Sequence, residues 1–517
     1  MTLKKIKKPS IHKYVIGSIA LLLLLLPFFT MAQDPTGATT GTIKDLGIDT
    51  LAATQDTALN KVISTVNTIG NSGGHSKIAI NIMWTLIAGF LVMFMQAGFA
   101  MVETGFTQKK NVAHTMCMNF LIYAIGMIGF WISGFALMFG GAFNVAALGG
   151  MGGVQPHELV IHLFGHDFGI SGYAGFFLSS KYYDVGIYTL FLFQMVFMDT
   201  TATIPTGSMA ERWTLKSFVI YGFFISMFVY PIFGNWVWGG GWLSQLGVQF
   251  GLGHGHVDFA GSSVVHLVGG IAALAGAIVI GPRFGKYGKD GSVKTIAGHN
   301  IPMAMVGTFI LAFGWFGFNA GSSLAGNDLR IGIVATNTML AGGAGALSAL
   351  FYMYARGMKA DPGMIANGML AGLVAITAPC AFVTSISSVI IGIIAGLLVI
   401  FAYNFVDNKL KIDDPVGAFA VHGVNGAWGV LSLGLFADGT YGDGWNGVAG
   451  NVTGLFYGDG KQFVAQIIGT LTCIIFVFTV MYFFFKLLNK IVPLRSSEAD
   501  EIAGLDIPET GVQGYVD

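Results

Sequence analysis

Charge is what this sequence lacks most. Of its 517 residues only 10% are Asp, Glu, Lys or Arg, against about 25% in a soluble globular chain. The 26 basic residues equal the 26 acidic ones, so no net charge draws the chain to nucleic acid or an anionic surface. Cysteine is scarce too. Cys117, Cys380 and Cys473 lie far apart in apolar runs and form no C-x-x-C, which speaks against a disulfide framework or a zinc site. The phosphate-loop, zinc-protease and nucleophile-elbow motifs are missing, which makes an enzyme the poorer reading. No metal and no cofactor is expected.

What is abundant is apolar surface and glycine: 54% hydrophobic residues and 75 glycines, the latter about twice the usual share. No G-X-Y period accompanies them, and the apolar content excludes disorder. Long apolar runs between short polar breaks define an all-α polytopic membrane protein. Its glycines are expected to bring helices close together.

Residues 1–32 read as a signal peptide, with Lys4, Lys5, Lys7, Lys8 and Lys13 before the apolar run Val15–Phe29 and small residues at Thr30-Met31-Ala32. Residues 33–77 read as an exported linker, in which Leu59, Val62, Ile63, Val66 and Ile69 keep helical spacing. Eleven transmembrane helices follow, at about 78–102, 113–140, 186–207, 217–237, 260–281, 301–320, 331–354, 363–380, 382–403, 416–437 and 463–488. Charge tests this count. With an exported N-terminus the cytoplasmic side holds 15 Lys and Arg, the outer side 6, and the signal peptide the remaining 5. That asymmetry sets the orientation N-out, C-in after signal cleavage.

Two segments echo each other. Asp258-Phe-Ala-Gly261 leads to Val265-His266, and Asp414-Pro-Val-Gly417 leads to Val421-His422. Both read D-x2-G-x3-V-H, with Gly270 and Gly426 four residues after each His. The expected membrane domain, 78–490, therefore divides into repeat one (78–281), repeat two (301–437) and helix eleven (463–488). Five helices per unit make the repeats inverted, with the transport site at their interface. Each His lies about 12 Å along the axis from its Asp, near the midplane.

Of the 11 histidines, His266 and His422 are the two read as deep in an apolar span, where no Lys or Arg lies. Two neutral imidazoles in contact can share one proton, one nitrogen donating and the other accepting. Such a pair suits a species that sheds a proton, crosses neutral and has its proton carried separately; ammonium fits best. The alternatives are a packing role and a bis-His haem, the latter disfavoured by helices this rich in glycine.

These residues carry a resemblance. GFAMVETGFTQKKN (98–111), FQMVFMDTTATIPTGSMAER (193–212), DFAGSSVVHLVGGIAALAGAIVIGPR (258–283), GWFGFNAGS (314–322) and DDPVGAFAVHGVNGAWG (413–429) resemble ammonium transporters of the Amt/Mep/Rh family, on the bacterial Amt side. The resemblance covers about residues 78–510. It implies an outer cation site at Phe197, Trp238 and Ser322, and a gate of Phe197 over Phe318. It also implies a proton relay at His266 and His422, with structural support from Asp258, Asp414, Gln194 and Trp315. Cation–π attraction of about 0.5–2 kcal/mol agrees with the outer site; interfacial aromatics are the plain alternative.

The substrate implied is ammonium/ammonia, with methylammonium as analogue. Also implied are a homotrimer in the inner membrane and a cytoplasmic regulatory tail (491–517) that could meet a PII-type protein. No nucleic acid partner is expected. An ammonium sensor and an Rh-like NH3/CO2 gas channel are the alternatives. The sensor is disfavoured by the short tail and intact His pair, the gas channel by Trp238. Asp199 is expected to pack against nearby Thr or a neighbouring helix, with a proton-path role as the other reading. His157, His162, His166, His254 and His256 are expected as solvated surface rather than metal ligands.

Overall fold

In the computed structural model, residues 41–140, 145–149, 158–180 and 183–516 are described. The expected signal peptide and His157 lie outside these residues. Among the described residues, ten helices are long and apolar enough to cross a membrane. They are α1 (Thr57–Phe106), α2 (Lys109–Phe139), α3 (Val185–Ser208), α4 (Leu215–Trp238), α5 (Ser262–Ile280), α6 (Ile301–Ser323), α7 (Ile331–Ala355), α9 (Ser385–Leu410), α10 (Phe419–Phe436) and α11 (Gly460–Ile491). Between α7 and α9 lies a shorter apolar helix, α8 (Pro362–Ile376). Helix starts follow capping chemistry: the side chains of Asp56, Asp184, Asn300 and Asp459 accept hydrogen bonds from first-turn amides.

Glycine does what the composition asks of it. A Cβ on Gly307 of α6 would lie 2.7 Å from the Gly98 carbonyl of α1, and one on Gly317 would lie 2.5 Å from the Ala88 carbonyl. A side chain on Gly270 would collide with the Gly423 backbone, and one on Gly426 would lie 2.6 Å from the Ser262 carbonyl. The two glycines of the echo thus sit where α5 and α10 cross. Both His-bearing helices also begin with a π-helical turn, Ser262–Leu267 and Phe419–Val424.

Two features depart from the sequence expectations, and a third was not anticipated by them. First, α1 has 50 residues, about 75 Å of helix, and runs unbroken through the boundary expected at 77/78. Residues 42–54 fold back along it, with Asn71 and Asn67 accepting from Ile43 and Leu51 and Lys77 donating to the Asp45 carbonyl. Second, the chain is not all helix. The loop before α3 holds an antiparallel hairpin, β1 (Glu158–Leu163) and β2 (His166–Gly172). Third, the tail is folded onto the protein. The Lys110 ammonium donates to the Glu501 and Ile502 carbonyls, and Asp506 accepts from the His114 amide. Leu505 donates to the Asn111 side chain. The hairpin follows the end of α2 and the tail packs on its start, so the two mark opposite ends of that helix.

Candidate transport pore

The site starts from two carboxylates. Asp258 ends an irregular loop, and its side chain accepts from the amides of Gly261, Ser262, Ser263 and Val264 and from the Ser263 hydroxyl. Those donors are the orphan amides that open α5, so Asp258 fixes the turn from which His266 follows. On the tail side Asp414 accepts from the Gly417 and Phe419 amides and sets the start of α10, from which His422 follows. Burial raises the Asp414 pKa above its ordinary value.

The two helices bring the imidazoles together. His266 Nδ1 and His422 Nδ1 are 3.2 Å apart, with the rings stacked at 5.2 Å between centroids. One nitrogen of such a contact must donate and the other accept. His266 is fully buried and His422 nearly so. Trp315 and Phe318 flank His266, at 5.3 and 5.4 Å between centroids. Trp315 is itself held by its indole N–H donating to the Thr377 hydroxyl at 3.0 Å.

Above His266, on the hairpin side, Phe318 stacks on Phe197 at 4.0 Å with planes 15° apart. Trp238 meets Phe197 edge-on at 6.2 Å, and its indole N–H donates to the Asp258 carbonyl at 2.6 Å. Asp258 therefore positions His266 through its carboxylate and Trp238 through its backbone. Ser322 is half-buried and donates its hydroxyl hydrogen to the Phe318 carbonyl, which leaves its lone pairs free to accept. Gln194 is buried and accepts from the Tyr230 hydroxyl at 3.5 Å. Ring contacts join Trp238, Phe197, Phe318, Trp315, His266 and His422 into one chain, and Asp258 and Asp414 sit at the helix starts that precede the two histidines.

Two histidine readings are corrected. His254 and His256 are not solvated: they are 5% and 0% exposed, because Gln462 and the backbone of α11 cover this loop. His256 Nε2 lies 3.0 Å from the Ser263 hydroxyl, which bonds Asp258. Burial brings the His256 pKa down to about 4, against the upward pull of Asp258 and a backbone bond at Ala465. His114 is a further fully buried histidine, at the start of α2 rather than deep within it. His162 is exposed and pairs with Asp167 at 2.8 Å, and His166 lies against Phe250. Among the described residues no group of three or more His, Cys, Asp or Glu is placed to hold a metal ion. Asp199 is buried in α3, and its Oδ1 has no hydrogen-bond partner.

Sequence reasoning missed the lattice of charges on the tail side. Arg283 pairs with Asp413 through its Nε at 2.8 Å and with Glu211 through Nη1. Arg212 donates to the Asp413 carbonyl. Burial alone would raise the Asp413 pKa, but Arg212 and Arg283 hold it well below the carboxylate range. The ER and PR pairs inside the quoted motifs were the available signal.

A helical membrane bundle with an aromatic stack over a buried imidazole pair is the architecture of a membrane transport protein rather than of a soluble enzyme. Residues 83–515 match the Ammonium Transporter Family, and the chain belongs to that family. It is 45% identical to the ammonium transporter Amt2 of Archaeoglobus fulgidus, over 85% of this chain and 89% of that one. To a putative ammonium transporter of Synechocystis it is 36% identical, over 84% and 88%. Among solved structures it resembles a sensor Amt protein at TM-score 0.71 and 37% identity, covering 84% of this chain and 99% of that one. Mep2 of Candida albicans follows at TM-score 0.67 and 25% identity, covering 82% and 87%.

Proposed function

We propose that this chain transports ammonium, recruiting NH4+ over Trp238 and Phe197 with Ser322 as hydrogen-bond acceptor. The cation gives up its proton, NH3 passes the Phe197–Phe318 gate, and the proton moves separately through His266 and His422. The single observation that carries the reading is the 3.2 Å contact of the two imidazoles directly beneath the aromatic stack. A fixed cation there would repel the substrate, whereas neutral imidazoles do not. Potassium is refused because an alkali ion has no proton to leave behind.

On this reading the hairpin face is outside and the tail face cytoplasmic. The ten long helices and α8 together make eleven crossings, arranged as inverted repeats 78–281 and 301–437 plus a last helix. Residues 1–32 are cleaved and 33–77 exported. Three chains associate in the inner membrane, and the tail from 491 is the surface offered to a PII-type regulator. No cofactor takes part.

Current recording on proteoliposomes tests the core of this. Pulses of ammonium or methylammonium should evoke current, potassium pulses none, and His266→Ala should alter the ammonium response. Absence of an ammonium current in the wild-type protein, with binding intact, would overturn transport in favour of sensing.

A further inference from the structure

One buried acid is unused by the column described so far. Glu103 lies on α1, four residues after Phe99, whose ring is 6.0 Å from that of His422 between centroids. Four residues are about one turn, so the Glu103 side chain lies on the same face of α1, about 6 Å further toward the tail side. Glu103 is 3% exposed and, among the described residues, is paired with no Lys or Arg.

Its carboxylate has unusual company. Asn119 donates its amide to Oε2 at 2.7 Å, and the Thr206 hydroxyl lies 2.7 and 2.5 Å from the two oxygens. The same hydroxyl lies 2.5 Å from the Thr203 carbonyl. A hydroxyl has one proton to donate and two lone pairs. With Glu103 ionised, Thr206 donates to it. With Glu103 protonated, the acid donates to Thr206, which then donates to the Thr203 carbonyl. The surroundings accept either state without leaving Glu103 unbonded.

Glu103 and His422 also share a small cavity of about 20 Å³, with Asn367 as the third polar wall and Val102, Ile204 and Leu311 among its apolar ones. That is room for one water, which needs about 10–15 Å³ and two to four polar partners. Asp414 and Tyr221 are further titratable groups near enough to feel the Glu103 charge.

We propose that Glu103 is the proton acceptor on the cytoplasmic side of the imidazole pair, reached from His422 through a single water. An N–H bond of the His422 imidazolium breaks as an O–H bond forms on the water. The water passes one of its own protons to the Glu103 carboxylate, and neutral imidazole and carboxylic acid result. The acid then loses its proton to cytoplasmic water. The inference rests on the proton-carrying reading of His266 and His422 and names the next station on that path.

Glu103→Gln is the test, because the amide keeps size and hydrogen bonds and removes only the titratable oxygen. In proteoliposomes the ammonium-evoked current of E103Q should fall below a tenth of wild type. Entry of neutral ammonia, followed by an internal pH dye, should stay within twofold. Glu103→Asp and Glu103→Asn repeat the comparison one methylene shorter: Asp should keep several times the current of Asn. Equal currents within either acid–amide pair would overturn the role of Glu103 while leaving transport standing. A wild-type protein without ammonium current would instead take down the transport reading itself.

Discussion

The two halves of the pore are built from one sequence pattern and finished differently. On the hairpin side Asp258 satisfies four amides and a hydroxyl and, among the described residues, pairs with no Lys or Arg. Its neighbours are aromatic, with Trp238 hung from its own carbonyl. On the tail side Asp414 satisfies two amides, and its sequence neighbour Asp413 is locked to Arg283 and Arg212. The shared pattern brings one histidine from each helix to a common contact. On the proposed reading, the unshared surroundings would give a pore its direction: an aromatic face suited to a cation at one end, fixed guanidinium charges at the other.

The largest effect is expected from breaking the tail-side charges. Arg283→Met removes the guanidinium that pairs with Glu211 and Asp413, both buried, and should cost about 3–5 kcal/mol. Thermal unfolding in detergent, followed by tryptophan fluorescence, measures it. An unchanged midpoint would mean the lattice is incidental. Next comes the difference between the carboxylates. Asp258→Asn weakens five charge-assisted bonds and Asp414→Asn two, at about 1.5–3 kcal/mol for a bond to a charged group and with incomplete additivity. Asp258→Asn should therefore lower the midpoint more, and equal shifts would erase the distinction drawn between the half-sites.

How much of this was legible beforehand follows from where the information resides. Helices are local, and their apolar runs gave most of the long helices to within a few residues; α1, which begins at Thr57 rather than near 78, is the main exception, because its polar first turns carry no apolar run. The imidazole pair was legible because the D-x2-G-x3-V-H pattern occurs twice. Phe197, Trp238 and Phe318 were not legible from physics alone, since aromatics make up 13% of the chain and only the motif resemblance singled them out. His256 was misread because its burial comes from α11, whose Gln466 and Gly469 lie more than 200 residues away. The tail was likewise opaque: its partners Lys110, Asn111 and His114 lie almost 400 residues upstream. Glu103 stood in a quoted motif, and a lone acid in a helix of this hydropathy was the overlooked signal.

Acid sharpens the comparison, because the halves should fail in different pH windows. Burial lowers the His256 pKa from 6.5 to about 4, so the unfolded chain binds the extra proton first. The stability this neutral histidine contributes is intact above pH 6.5 and falls as pH drops toward 4, by up to about 3 kcal/mol. The depressed carboxylates of Asp413 and Glu211 follow the acid rule. Their contribution is complete above their ordinary values of 3.8 and 4.5 and is lost as pH falls below them. Unfolding midpoints between pH 7 and 4 should drop for wild type and stay flatter for His256→Gln. Parallel profiles would place the acid sensitivity elsewhere.

The smallest expected effect bears most directly on direction. If the aromatic end of the pore draws in the cation, Trp238→Leu removes one face of attraction, worth about 0.5–2 kcal/mol. The half-saturating ammonium concentration of the current should then rise by roughly 2- to 30-fold, since 1.4 kcal/mol is about a factor of ten. The maximal current should change far less, because the His pair and Glu103 lie beyond the Phe197–Phe318 stack. Trp238→Phe separates two parts of the effect: it keeps a ring face but loses the N–H that holds the ring to the Asp258 carbonyl. An intermediate shift assigns part of the recruitment to the ring and part to its tether. A Phe variant as poor as Leu would make the tether decisive, tying recruitment to the same aspartate that sets His266 in the pore.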